Sequence, residues 1–321
     1  MTTATMSERL LDADPAVRRL AVLDLPYSDE EDFVPLLLTM LGDADAVVRT
    51  EAVRALEGQE DPPVVEALAA RLLDEDAGVR KAAGEVLGEL KLAGSAAALL
   101  PMLGEHYPAE VRAMAFRAVR ALRDPRAFTP ALAALRDADV GVRREAVGVL
   151  GYLRDDAALG ELAEVAANDP DAEVRRIAVG ALGFASTISV LPALTRALAD
   201  SQWMVREEAA STIGKLRLAL AIPDLVRAMG DDYWQVRLKA ARALGLLKAE
   251  AGLPALVAAL GDATSNLRKE AAIALGEIGD RRAIGPLEAA LADPDPDVRK
   301  LARLALTSIG LAQPSRAGGD A

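Results

Sequence analysis

The stretch Val236-Arg237-Leu238-Lys239-Ala240-Ala241-Arg242-Ala243-Leu244-Gly245 decides the fold. Val236, Ala240 and Leu244 fall at i, i+4 and i+8, the spacing of one face of a helix. Its first Arg is one of ten at nearly constant spacing: Arg18, Arg49, Arg80, Arg112, Arg143, Arg175, Arg206, Arg237, Arg268 and Arg299. The interval is 31 or 32 residues throughout. A period of that size, held along a chain of 321 residues, means one two-helix unit repeated about ten times. The expected class is all-α, a right-handed α-solenoid occupying residues 1–310 as one domain. Residues 311–321 read by composition as a frayed tail.

The last unit shows the physics of the repeat. Ile284, Leu287 and Leu291 form one helix face at i, i+3 and i+7, and triplets such as Val34, Leu37, Leu41 and Leu253, Leu256, Leu260 repeat it. Asp295 then suits a helix N-cap and Pro296 the first helical position, as do Asp14 and Pro15. Asp45, Asp76, Asp139 and Asp171 hold the same cap position. The second helix carries Val298, Ala302 and Leu306, with a small central residue that lets neighbours approach. Gly88, Gly151, Gly183, Gly214, Gly245 and Gly276 fall near the ends of second helices, where Gly suits a C-cap. At the two 32-residue intervals the first-helix stripe shifts back by one, to Leu99, Leu103 and to Leu162, Ala166. The extra residue therefore belongs to the turn.

An Asp lies six residues before the Arg in nine units, and His106 replaces it in the fourth. Asp and Arg can pair within or between units and fix the stacking register. As exposed pairs they are worth only ~0–1 kcal/mol each. Their recurrence in nearly every unit argues for a structural role rather than a catalytic one.

Composition narrows the function. There is no Cys, so disulfides, thiol nucleophiles, Cys-based zinc sites and iron–sulfur clusters are excluded. The formal net charge of −12 opposes binding to bulk nucleic acid or anionic membrane. Met1 to Ser7 lacks the basic and apolar segments of a signal peptide, and no apolar run approaches a membrane span of roughly 20 residues. A soluble, cytoplasmic chain is expected. No phosphate-binding Gly loop, Ser-His-Asp order or metal-ligand cluster is evident, so no catalytic residue, metal or cofactor is assigned.

The repeat resembles the HEAT repeat in its short, phycobilisome-lyase-type form. The turn Asp, the Val-Arg-x-x-Ala segment, the Leu-Gly near the second helix end and a first-helix Pro (Pro35, Pro192, Pro223, Pro254, Pro286) carry the resemblance. It implies that second helices line a concave side that binds a partner. The resemblance also allows a phycobilin lyase-like enzyme or chromophore chaperone. HEAT-like DNA-binding proteins are a third possibility, disfavoured by the charge. The iron site of deoxyhypusine hydroxylase needs several His, and His106 is the only one.

Residues outside the repeat pattern mark candidate sites. Positions one, two, five and nine after each Arg point away from the core stripe. Units five and six place Tyr152 and Phe184 there, each beyond a Gly, Gly148 or Gly180, with Ile177 at the border. An apolar trough that binds a protein or peptide is expected, the alternative being contact with the adjacent helix end. A second cluster, Trp203, Tyr233 and Trp234, falls at the turns of units seven and eight. Both Trp lie three residues before the repeat Arg, which stacking would bring together. They read equally as interface anchors or as covers over their own helix starts. Arg144, Arg176, Lys239, Lys269 and Lys300 alternate with Glu145, Glu207, Glu208 and Glu270 on the same side, a mixture that suits a protein partner.

Overall fold

The computed structural model describes residues 5–28 and 32–311. The expected frayed tail beyond residue 311, and part of the irregular segment after Pro26, lie outside the described residues. The chain divides into two compact units, 1–153 and 154–321.

The first unit holds α1 (Met6–Leu10), α2 (Pro15–Asp24), α3 (Val34–Met40), α4 (Ala46–Ala55) and α5 (Pro62–Ala70). It continues with α6 (Ala77–Leu87), α7 (Ala96–Leu99), α8 (Ala109–Leu122), α9 (Phe128–Ala134) and α10 (Val140–Leu153). The second holds α11 (Leu159–Asn168), α12 (Ala172–Ala181), α13 (Leu191–Ala197), α14 (Trp203–Leu216) and α15 (Ile222–Ala228). It ends with α16 (Trp234–Leu246), α17 (Leu253–Ala259), α18 (Ser265–Ile278), α19 (Ile284–Ala289) and α20 (Pro296–Leu311). No strand occurs among the described residues. Within each unit the even-numbered helices pack in succession and the odd-numbered ones lie against them. This is an α-solenoid class of structure, as the period implies.

Sequence dictates these elements locally. Carboxylates of Asp14, Asp45, Asp76 and Asp171 accept from N–H groups of the first turns of α2, α4, α6 and α12. Asp139 accepts from Val142 in α10 at 3.0 Å. Pro occupies the first turn of α3, α5, α13, α15 and α17, where its missing N–H has no intrahelical partner to lose. The central residue of each first-helix triplet is fully buried: Leu37, Leu68, Leu194, Leu225, Leu256 and Leu287. So are Leu99 and Leu162 in the two shifted repeats. Each Leu so buried contributes about 1.5–3 kcal/mol. Val48, Ala52 and Leu56, with Val236, Ala240 and Leu244, form the matching stripes of the second helices.

The Asp/Arg series is a zipper in both directions. Arg49 donates from Nη1 to the carbonyls of Asp43 and Ala44 in its own turn, at 2.9 and 3.2 Å. Its Nε and Nη2 reach the carboxylate of Asp74 in the next repeat, at 3.0 and 2.7 Å. Arg18–Asp43, Arg175–Asp200, Arg206–Asp231 and Arg268–Asp293 repeat this two-pronged geometry. Each Asp also accepts from the backbone N–H two residues on, as Asp74 does from Asp76. These pairs are not the exposed ones expected from sequence. Arg49 and Asp74 side chains retain 7% and 4% exposure, because the stacked turns cover them.

The fourth repeat departs from this order. With His106 in place of Asp, Arg80 pairs instead with Glu110 on α8, at 3.1 Å. Arg112 donates to one carbonyl of its own turn, that of Tyr107, and from Nη2 to Asp137 of the next repeat at 2.6 Å, but its Nε is buried without an acceptor among the described residues.

Gly88 is the C-cap of α6, as expected, but three of the other glycines differ from expectation. Gly214, Gly245 and Gly276 lie inside α14, α16 and α18. A Cβ on Gly276 would stand 2.9 Å from Ala305 Cα, and one on Gly214 would stand 3.0 Å from Ala243 Cα. They permit close approach of successive second helices rather than ending them. Left-handed backbone at helix ends falls instead on Gly279 and on Arg123, Arg154, Arg217 and Lys248.

Candidate functional site

In the first unit the outward face of α8 and α10 gathers cations around an aromatic ring. Arg117, Arg120 and Arg123 recur at every third position of α8 and its C-terminal cap. The guanidinium carbons of Arg120 and Arg123 lie 5.6 and 5.7 Å from the centroid of Tyr152. Tyr152 is 45% exposed. Guanidinium groups over a Tyr face gain about 0.5–1 kcal/mol each at exposed sites. Beneath them the carboxylate of Glu145, itself buried, accepts from Arg120 Nη1 at 3.0 Å and faces Arg144 Nη2 at 3.5 Å.

The expected apolar trough is not what surrounds these residues. Arg120 lies over Gly148, where a Cβ would meet its Cδ at 3.0 Å. In the second unit Glu208 lies over Gly180, its Oε1 3.0 Å from a Cβ built there. The two glycines therefore make room for long charged side chains. Phe184, in a short 3-10 turn after α12, and Ile177 are both half-buried.

Charges alternate along the second unit's even helices. Arg176 approaches Glu208 at 3.5 Å, Lys239 approaches Glu207 at 4.0 Å, and Arg242 approaches Glu270 at 3.7 Å. Burial pushes the Glu208 and Glu270 carboxyls up, against the attraction of Arg176 and Arg242. In the turns, burial also pushes up Asp74, Asp200 and Asp231, but hydrogen bonds from Arg49, Arg175 and Arg206 and from backbone N–H groups outweigh it. All three carboxyls sit below their ordinary range. Asp43 and Asp293 are held low chiefly by the hydrogen bonds from Arg18 and Arg268.

The aromatic residues at the turns pair differently from the expected Trp–Trp contact. Trp203 stacks on Tyr233, with centroids 5.4 Å apart and planes 12° apart. Arg206 adds its guanidinium 5.8 Å from the Tyr233 centroid. Tyr233 is itself the N-cap residue of α16, so stacking reaches it rather than the next residue, Trp234. Tyr233 and Trp234 remain 46% and 36% exposed.

Sequence reasoning missed Arg120 and Arg123. Their signal was present as Arg117-Ala118-Val119-Arg120-Ala121-Leu122-Arg123, three cations at a three-residue interval. No group of three or more His, Cys, Asp or Glu among the described residues is arranged to hold a metal. No helix among them is long and apolar enough to cross a membrane.

These features define an all-helical repeat protein with charged and aromatic faces. HEAT repeats match residues 3–88, 96–183, 159–235 and 222–307, and the chain belongs to the HEAT-repeat family. No curated protein matches it. Among solved structures, an engineered protein is 22% identical with a TM-score of 0.54, covering 95% of this chain and 98% of that one. A chain in the structure of Kap95p bound to RanGDP is 14% identical with a TM-score of 0.63. The match covers 95% of this chain and 50% of that one, so this chain spans about half its length. The Escherichia coli protein YibA is 18% identical with a TM-score of 0.51, covering 93% and 98%. At these identities the likeness is one of fold.

Proposed function

We propose that this chain is a non-catalytic scaffold or adaptor that holds a protein or peptide against the outward face of its even-numbered helices. The observation that carries the reading is the exposed ring of Tyr152 with Arg120 and Arg123 close to it, since Tyr and Arg are favoured anchors at interfaces. The HEAT repeats support it in general, and the Kap95p structure, in which one protein binds another, supports it as a use of the fold. Phe184, Ile177 and Gly180 belong to the proposed face in the second unit. Trp203, Tyr233 and Trp234 are a second contact area on the same reading. One solenoid over residues 1–310 and a cytoplasmic setting go with it.

Quantitative affinity capture with the wild-type chain, Tyr152→Ala and Phe184→Ala tests the proposal. Reduced capture by either variant is expected. Unchanged capture by both removes the site.

The phycobilisome-lyase-type subtype, with pigment handling as its function, is the alternative, and the short repeat of 31 residues supports it. Phycocyanobilin added with and without a candidate subunit partner would shift in absorbance on that reading. No shift removes it.

A further inference from the structure

We propose that the face formed by α8 and α10 binds an acidic, carboxylate-rich peptide segment, gripped by Arg117, Arg120 and Arg123 around Tyr152. This rests on the scaffold reading and names the chemistry of its partner. Most cations here are already matched, as the repeat arginines are by the turn carboxylates. Arg117 and Arg123 are exposed and, among the described residues, pair with no carboxylate. Arg123 is also held at a φ of 52°, which ends α8 and turns its side chain back to Tyr152.

A guanidinium held near a ring by cation–π attraction still has N–H donors to offer a second partner. Arg123 so held, the donors of Arg120 that Glu145 leaves free, and Arg117 one helical turn away offer N–H groups that match carboxylates. The one acid in the cluster, Glu145, is buried beneath and engaged by Arg120 and Arg144, so it neutralises little of the outer surface.

Nucleic acid fits less well. A phosphate backbone needs a track of cations. The cationic face stops at α8, because α6, which packs against it, presents exposed Glu85 where α8 has Arg117, and Glu89 one turn further on. Lys81 on α6 faces Glu85, at 3.9 Å. A short acidic stretch of a protein fills such a patch.

Fluorescence anisotropy on the full chain tests this. The probes are a short fluorescein-labelled peptide of alternating Glu and Gly, its Gln counterpart, and a single-stranded oligonucleotide of matched length. Saturable, salt-sensitive binding of the Glu peptide is expected, with little binding of the Gln peptide. Arg117→Ala with Arg123→Ala should weaken it about tenfold or more. Both residues are exposed, and far-UV circular dichroism checks that the variant folds. Tyr152→Phe, which keeps the ring, should bind like wild type, and Tyr152→Ala should bind more weakly.

Equal binding of both peptides, an unchanged double variant, or tighter binding of the oligonucleotide overturns the proposal. Capture of a protein partner equally by wild type and double variant removes this site and leaves the scaffold reading standing. Binding of the Glu peptide by a chain that captures no protein supports the site and removes the scaffold reading.

Discussion

Arg49 grips both carboxylate oxygens of Asp74, 25 residues further along the chain, with neither side chain more than 7% exposed. The same guanidinium closes its own turn through two carbonyls, so one residue fixes both a turn and the register of the next repeat. Asp74→Ala leaves the buried guanidinium only the exposed Glu75, at 3.5 Å, as counter-charge and should destabilise the chain by roughly 3 kcal/mol. Glu110→Gln removes the substitute partner of Arg80, which is 51% exposed, and should change stability by only ~0–1 kcal/mol. Urea denaturation of both variants checks the contrast.

Stability should fall in acid. Asp43, Asp74, Asp200, Asp231, Asp262 and Asp293 are all held below the usual 3.8. The Asp295 carboxyl is lowered to about 2, chiefly by its hydrogen bond from Lys269. Such groups bind fewer protons folded than unfolded, so their contribution is present above 3.8 and is lost as pH falls through the lowered values. Glu208 and Glu270 act oppositely. Burial raises them, so their contribution is present below 4.5 and lost as pH rises through the raised value. The seven lowered turn carboxylates outweigh the two raised ones, and the midpoint of thermal unfolding should drop between about pH 4 and 2. The difference in midpoint between Glu270→Gln and wild type should shrink as pH falls below neutral.

Substituting glycines should separate packing from propensity. Gly276→Ala drives a methyl group to 2.9 Å from Ala305 Cα, a backbone atom that cannot move alone. Overpacking of that kind costs about 1–3 kcal/mol, enough to outweigh the gain in helix propensity. Gly160→Ala, in α11 with nothing within 4 Å of the new Cβ, should instead stabilise by up to about 1 kcal/mol. Thermal unfolding of the two variants should shift in opposite directions.

The stack of Trp203 on Tyr233 joins the turns of consecutive repeats. A double-mutant cycle with Trp203→Ala and Tyr233→Ala should give a coupling of about 0.5–1.5 kcal/mol in stability. Additive effects would mean that the rings touch without holding the turns together.

The period of Arg18 to Arg299 made the fold class readable, because a repeat can bury its apolar stripe only against copies of itself. The caps at Asp45 and Asp76 were equally legible, since a cap is a local interaction. What required three dimensions was contact between repeats. Glu110 stands 30 residues from Arg80 and outside the repeat pattern, so nothing local marks it as the stand-in for the missing Asp. Gly276 looks like a helix terminator until Ala305 is seen against it. Gly148 and Gly180 suggested open apolar space, and long side chains of the adjacent helices, Arg120 and Glu208, occupy it. Tyr152 stood out because it broke the repeat, but the arginines that frame it come from the neighbouring helix.

Hydrogen–deuterium exchange of the chain with and without a captured protein partner tests the proposed binding face most directly. Added protection is expected in peptides from α8 and α10, residues 109–122 and 140–153, with the odd-numbered helices unchanged. Protection confined to the odd-numbered helices, with α8 and α10 unaltered, would contradict it.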